Sequence, residues 1–181
     1  MIAIYHCLNT FESDNEYLTV LNNDYDIIAD LIEGTDRKVF VPEFVKDEYK
    51  LGNVLATFHN HFGGAILPSS TDFNNSILPK LKFTVITSDN IIGIIVKDND
   101  LEGFQQLINE FKLFEVYLNF CFSNDEFNNI ESLENDYEGD ELKKQREILF
   151  NRYISLNIEK FVVEFNYRME KFNVYLIYIK I

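Results

Sequence analysis

The stretch from residue 53 to residue 72 constrains this chain more than any other. Val54-Leu55-Ala56-Thr57-Phe58 is a short, almost continuous apolar run. A run of that length and kind suits a buried strand. His59 and His61 close it, a loop with Gly63 and Gly64 follows, and Ser69-Ser70-Thr71-Asp72 has the composition of a helix start. Strand, glycine loop and helix opening in that order call for a sheet with a helix packed against it.

The flanking sequence extends that picture. Residues 1–9 fit a short strand or the start of a helix, and 10–15 a loop. Residues 16–21 favour a strand, Asn22-Asn23-Asp24 a turn, and 25–32 an apolar return. A hairpin is therefore expected, although 27–32 would also suit a short helix. Gly34-Thr35-Asp36 breaks the chain, 39–41 reads as a strand stopped by Pro42, and 44–50 reads as a mixed connector. The helix opening at Ser69 should run towards Leu78 or Leu81. Residues 83–87 and 91–97 flank Ser88-Asp89-Asn90 as a second hairpin.

From Leu101 the period changes. Phe104, Leu107, Ile108, Phe111, Phe114 and Leu118 recur at spacings of three and four, the pattern of an amphipathic helix. Residues 124–140 are polar and acidic and read as an exposed loop, 141–158 as a helix, and 172–181 as a strand apolar on both faces apart from Lys180. The expected class is α+β (mixed α/β), a sheet packed with helices. Residues 1–100 form its core, and 101–181 form a helical extension that ends in a strand and packs on the same domain.

With 46% hydrophobic residues the chain can build a core. A net charge of −14 repels phosphate backbones, so nucleic acid is not an expected partner. The acidic run at 131–141 reads as a solvated surface. Cys7 and Cys121 sit among apolar neighbours and read as buried free thiols of a reducing compartment. No signal peptide or membrane span is legible, and a cytoplasmic location is expected.

The chemistry concentrates at the histidines. Residues two apart in a strand share a face, so His59 and His61 can aim at one ion. Asp72, at the following helix start, adds a carboxylate if the loop folds back. Three protein ligands leave a fourth position for water, which is the catalytic pattern for zinc. Each part has a plainer reading. Two histidines can be ordinary strand residues, and Ser69 with Asp72 satisfies a helix capping box. Together, at this spacing and in this order of elements, they point to a metal site. His6, beside Cys7, reads as a packed or surface residue.

His-x-His, seven residues, Ser-x-x-Asp resembles the JAMM motif of the JAB/MPN (Mov34-like) metalloproteases, and His59-Asn60-His61 with Pro68-Ser69-Ser70-Thr71-Asp72 is similar to stretches of their prokaryotic and phage-associated members. The resemblance covers about residues 10–98. It implies a JAB/MPN-like (cytidine-deaminase-like) curved sheet and one zinc ion held by His59, His61 and Asp72. It also implies a catalytic glutamate on an earlier strand. Glu12, Glu16, Glu33, Glu43 and Glu48 are the candidates; Glu16, which opens the first hairpin, is preferred, with Glu33 second. Glu16 would act as general base and Ser69 would help to stabilise the oxyanion. The activity implied is metallopeptidase or isopeptidase cleavage of an amide in a peptide or ubiquitin-like protein. A non-catalytic assembly module and a zinc hydrolase of small-molecule amides are the alternatives. Where the family usually has proline after the second histidine, this chain has Phe62, which puts loop shape and substrate fit in question but not metal ligation. His-Asn-His also spells the name of a nuclease family, whose residues are dispersed along a different fold and whose substrate the charge disfavours.

Overall fold

We describe residues 15–35, 39–61, 67–76, 81–88, 91–97 and 103–180 of a computed structural model of the chain. Strand β1 (Tyr17–Asn22) turns back into β2 (Ile27–Glu33). Asn22 Oδ1 accepts the N–H groups of Asp24 (2.9 Å) and Asp26 (2.8 Å), so this side chain closes the turn. The expected hairpin is present, and the helical option for 27–32 is not taken.

Residues 39–41 are not the strand expected from their composition. Both edges of β1 are already paired, to β2 and β3, and Pro42 has no N–H to offer a ladder. Val39 and Val41 instead pack against the cluster that contains Leu18, Val20, Val45 and Leu81. The expected connector at 44–50 is helix α1 (Glu43–Leu51). Pro42 precedes it and Gly52, at φ 69°, ends it in the left-handed region. Val45 is its one buried anchor.

Strand β3 (Val54–Asn60) is followed by α2 (Ser70–Ser76), β4 (Phe83–Ser88) and β5 (Ile91–Lys97). Helix α2 opens where expected; Leu81 lies outside it and Leu78 outside the described residues. Then come α3 (Phe104–Asp125), α4 (Phe127–Asp136), α5 (Gly139–Leu156), α6 (Ile158–Met169), a 3-10 turn (Glu170–Phe172) and β6 (Val174–Lys180). The acidic loop expected at 124–140 is mostly α4: Ile130 is buried in the core and Glu134 pairs with Arg146 of α5 at 3.2 Å. Helix α6 starts at Ile158, the last residue of the helix expected at 141–158, and otherwise falls on residues the sequence reading left unassigned. Cys121 is buried and free, while Cys7 and His6 lie outside the described residues.

The result is an α+β fold in which the six described strands form one mixed sheet of order β2-β1-β3-β4-β5-β6. Only β3 and β4 run parallel; every other neighbouring pair is antiparallel. Ile86, Ile95, Val174 and Leu176 of β4 to β6 meet Leu107, Phe111, Phe114, Phe161 and Phe165 of α3 and α6 in the largest core cluster. Phe73 of α2 joins that cluster, fully buried. The helices thus cover the β4–β6 half of this face and leave the β1–β3 half to floor a cleft.

Candidate metal centre

The cleft encloses about 800 Å³. Its floor carries Leu18, Thr57, His59 and Thr84. These share a face because Leu18 pairs with His59 across β1–β3 and Thr57 with Thr84 across β3–β4. Val39, Val41 and Tyr49 line one side. Leu118 of α3 and Phe150 and Ile154 of α5 line the other.

His59 and His61 project from the carboxyl end of β3 into this space. The His61 N–H donates to Thr87 O at 2.9 Å, which extends the parallel pairing past the end of the strand. The two Nε2 atoms lie 3.1 Å apart. His59 Nε2 is 3.1 Å from Asp72 Oδ1, and His61 Nε2 is 3.1 Å from Asp72 Oδ2. A tetrahedral zinc ion with bonds of about 2.0–2.1 Å holds neighbouring ligand atoms about 3.3–3.4 Å apart. The donor set His59, His61 and Asp72 can therefore hold a metal ion with sub-ångström adjustment. Two imidazole nitrogens at this distance repel through their lone pairs unless a proton or a cation lies between them. Continuing the β3–β4 register by one residue sets Ser88 beside His61. The Ser88 hydroxyl is buried with no hydrogen-bond partner among the described residues, a polar group of the kind that usually finds one.

Asp72 serves two structures at once. Its Oδ2 accepts the Ser69 N–H (2.9 Å) and the Ser69 hydroxyl (2.6 Å), while the Asp72 N–H donates back to Ser69 Oγ (3.2 Å). This reciprocal arrangement is a helix capping box. The same carboxylate faces both imidazoles. Burial pushes Asp72 up, but the neighbouring His59 and His61 more than offset this and hold its carboxyl well below the usual range. It is thus ready as an anionic ligand. The Ser69 hydroxyl, expected to face an oxyanion, lies on Asp72 and can turn to a substrate oxygen only by giving up that bond.

Of the candidate glutamates, Glu16 lines the cleft. Extending the β1–β3 register by two residues places it opposite His61. Glu33 is exposed and accepts from Asn15 Nδ2 at 2.8 Å. Glu43 pairs with Lys46 at 3.0 Å, and Glu48 accepts from Asn53 Nδ2 at 2.9 Å. None of these three lines the cleft, and Glu12 lies outside the described residues. Sequence reasoning missed the polar groups on the helical wall. Glu115 and Asn119 of α3, and Glu147 and Asn151 of α5, all face the cleft. Their signal was a repeated Glu-x-x-x-Asn, which puts both side chains on one helix face.

No family model, curated protein or solved structure matches the chain. Among the described residues, no helix is long and apolar enough to cross a membrane.

Proposed function

We propose that this chain is a zinc-dependent amide hydrolase, a metallopeptidase or isopeptidase of the JAB/MPN type that acts on a peptide or ubiquitin-like protein. The observation that carries this reading is the convergence of His59, His61 and Asp72 within 4.8 Å, in a cleft that Glu16 also lines. The strand that ends beside His59 and His61, followed in the chain by the helix that opens at Ser70, supports a JAB/MPN-like fold. When bound, zinc would supply Lewis acidity, polarising the amide carbonyl and making water easier to deprotonate.

The remaining work falls to the chain's own groups. The Glu16 carboxylate takes a proton from the attacking water as the new C–O bond forms. It returns that proton to the amine nitrogen as the C–N bond breaks. His59, His61 and Asp72 hold the ion. Ser69 holds Asp72, and on release it can donate to the developing oxyanion. Leu118, Phe150 and Ile154 give the far wall of the cleft an apolar patch among the polar side chains of Glu115, Asn119, Glu147 and Asn151.

One observation favours a second reading. The α3–α5 wall limits the cleft to a volume within the range of small-molecule sites, so hydrolysis of a small amide is the alternative. Metal analysis tests both. Wild type should carry stoichiometric zinc, and His59→Ala and His61→Ala should not. Glu16→Ala should keep zinc and lose amide hydrolysis, and a panel of peptides and small amides separates the two substrate classes. Zinc without hydrolysis of any amide would leave a binding module, and absence of zinc would end the proposal.

A further inference from the structure

Between the two histidines stands Asn60, 2% exposed and, by strand alternation, on the opposite face of β3. Its Oδ1 accepts the Tyr17 N–H at 2.6 Å, and its Nδ2 donates to the Asn15 carbonyl at 3.1 Å. These two bonds bracket Glu16. Residue pairing between β1 and β3 ends at Leu18 and His59, so the Asn60 carboxamide takes over where the backbone ladder stops. On the other side, the Glu16 N–H donates to Thr35 O at 2.8 Å and Glu16 O accepts from the Gly34 N–H at 2.8 Å. Asn15 also donates to Glu33 Oε1, which extends the chain of bonds from β3 across to β2.

We propose that Asn60 is a positioning residue for Glu16: it ties the segment bearing the candidate base to the strand bearing two metal ligands, and so sets the distance between base and metal. The inference rests on the proposed hydrolase reading for its effect on rate, but the clamp itself is independent of it. A carboxamide is suited to this task because it offers one acceptor and a donor on one planar group. Aspartate has the same shape but no donor for Asn15 O, and alanine has neither group. With the clamp lost, the two hydrogen bonds that Asn60 makes to the segment 15–17 are gone, and Glu16 shifts relative to the histidines. Neither ligand side chain is altered, so the metal stays.

The test compares Asn60→Ala and Asn60→Asp with wild type and Glu16→Ala, all zinc-loaded. Amide hydrogen exchange at Tyr17 should speed up in Asn60→Ala, with or without zinc. Zinc stoichiometry should be unchanged. If the hydrolase reading holds, kcat should fall by about 100-fold, the size of effect that an ångström-scale misplacement produces, with little change in KM. In a Glu16→Ala background, Asn60→Ala should cost nothing further, because both changes act through one group. Asn60→Asp should lie between, since it keeps the bond to Tyr17. Unchanged exchange at Tyr17, or additive losses of kcat in the double variant, would overturn the inference. Full hydrolysis by Glu16→Ala would instead overturn the assignment of the base, and exchange at Tyr17 would still report on the clamp.

Discussion

Replacing Phe73 by alanine tests whether the metal centre depends on how α2 is seated. Helix α2 has seven residues, too few to stay helical alone. Among its described side chains only Phe73 is fully buried. Its ring stacks on Phe111 with centroids 4.1 Å apart and planes 7° from parallel, and it meets Phe165 edge-on at 6.0 Å. Truncating such a side chain costs about 3–5 kcal/mol. Asp72 is the preceding residue, so any loss of docking moves a ligand. At about 1.4 kcal/mol per tenfold, a cost of about 3–4 kcal/mol borne by docking would weaken zinc binding by about 100- to 1000-fold. Phe73→Leu, which keeps most of the apolar volume, should weaken it by about tenfold. Competition against a chelator measures the affinity, and urea unfolding in the presence of that chelator measures global stability separately. The reasoning fails if Phe73→Ala unfolds at lower urea yet the folded protein binds zinc as tightly as wild type.

Ser69→Ala removes the hydroxyl from Asp72 Oδ2, and zinc affinity should drop by about 10- to 100-fold, as for other groups that orient a ligand; calorimetric titration would show it, and a loss of kcat alone would place Ser69 with the substrate instead. Among the described residues, the cleft walls carry Glu115 and Glu147 and no lysine or arginine. Peptides with a basic residue beside the scissile amide should therefore show a lower KM than their acidic counterparts, by a margin that shrinks as salt rises; equal KM values at low salt would refute this. Burial pushes the phenols of Tyr49 and Tyr153 up, in the second case with Asp125 adding to the effect. The folded state then holds these protons more tightly than the unfolded chain, where tyrosine titrates near pH 10. Stability should be fully present below about pH 10 and fall as pH rises above it. Urea midpoints measured across that range should decline, and less so in Tyr49→Phe.

The legible parts of the fold were those in which one local rule settled the matter. Asn22 and its neighbours made the first turn, alternation made β6, and the three- and four-residue spacing from Phe104 made α3. The parts that were misread were decided by partners far away in sequence. Residues 39–41 look like a strand, but Val39 and Val41 pack into the cluster around Leu18, Val20 and Val45 instead of pairing in the sheet. Residues 124–140 look like a loop because acidic side chains dominate, yet Ile130 of α4 is buried in the core cluster and Glu134 pairs with Arg146 of α5. Helix α1 was missed although Pro42 and Gly52 mark its two ends, because its apolar content rests on one buried residue, Val45.

The site shows why a plain reading and a functional one need not compete. Ser69 and Asp72 form the capping box that any helix start could use, and for that task one carboxylate oxygen is sufficient. The cap fixes Asp72 in a single orientation, with Oδ1 against His59 and Oδ2 against His61. A free aspartate on a loop would have to lose side-chain freedom on binding an ion; here the helix has already fixed it. The local motif is what makes the ligand rigid, so the sequence signal for the helix start and the signal for the metal centre are one signal. The spacing of His59, His61, Ser69 and Asp72 was legible for that reason. Asn60 and the helical wall were not, since their roles depend on register and on packing between segments that no local pattern encodes.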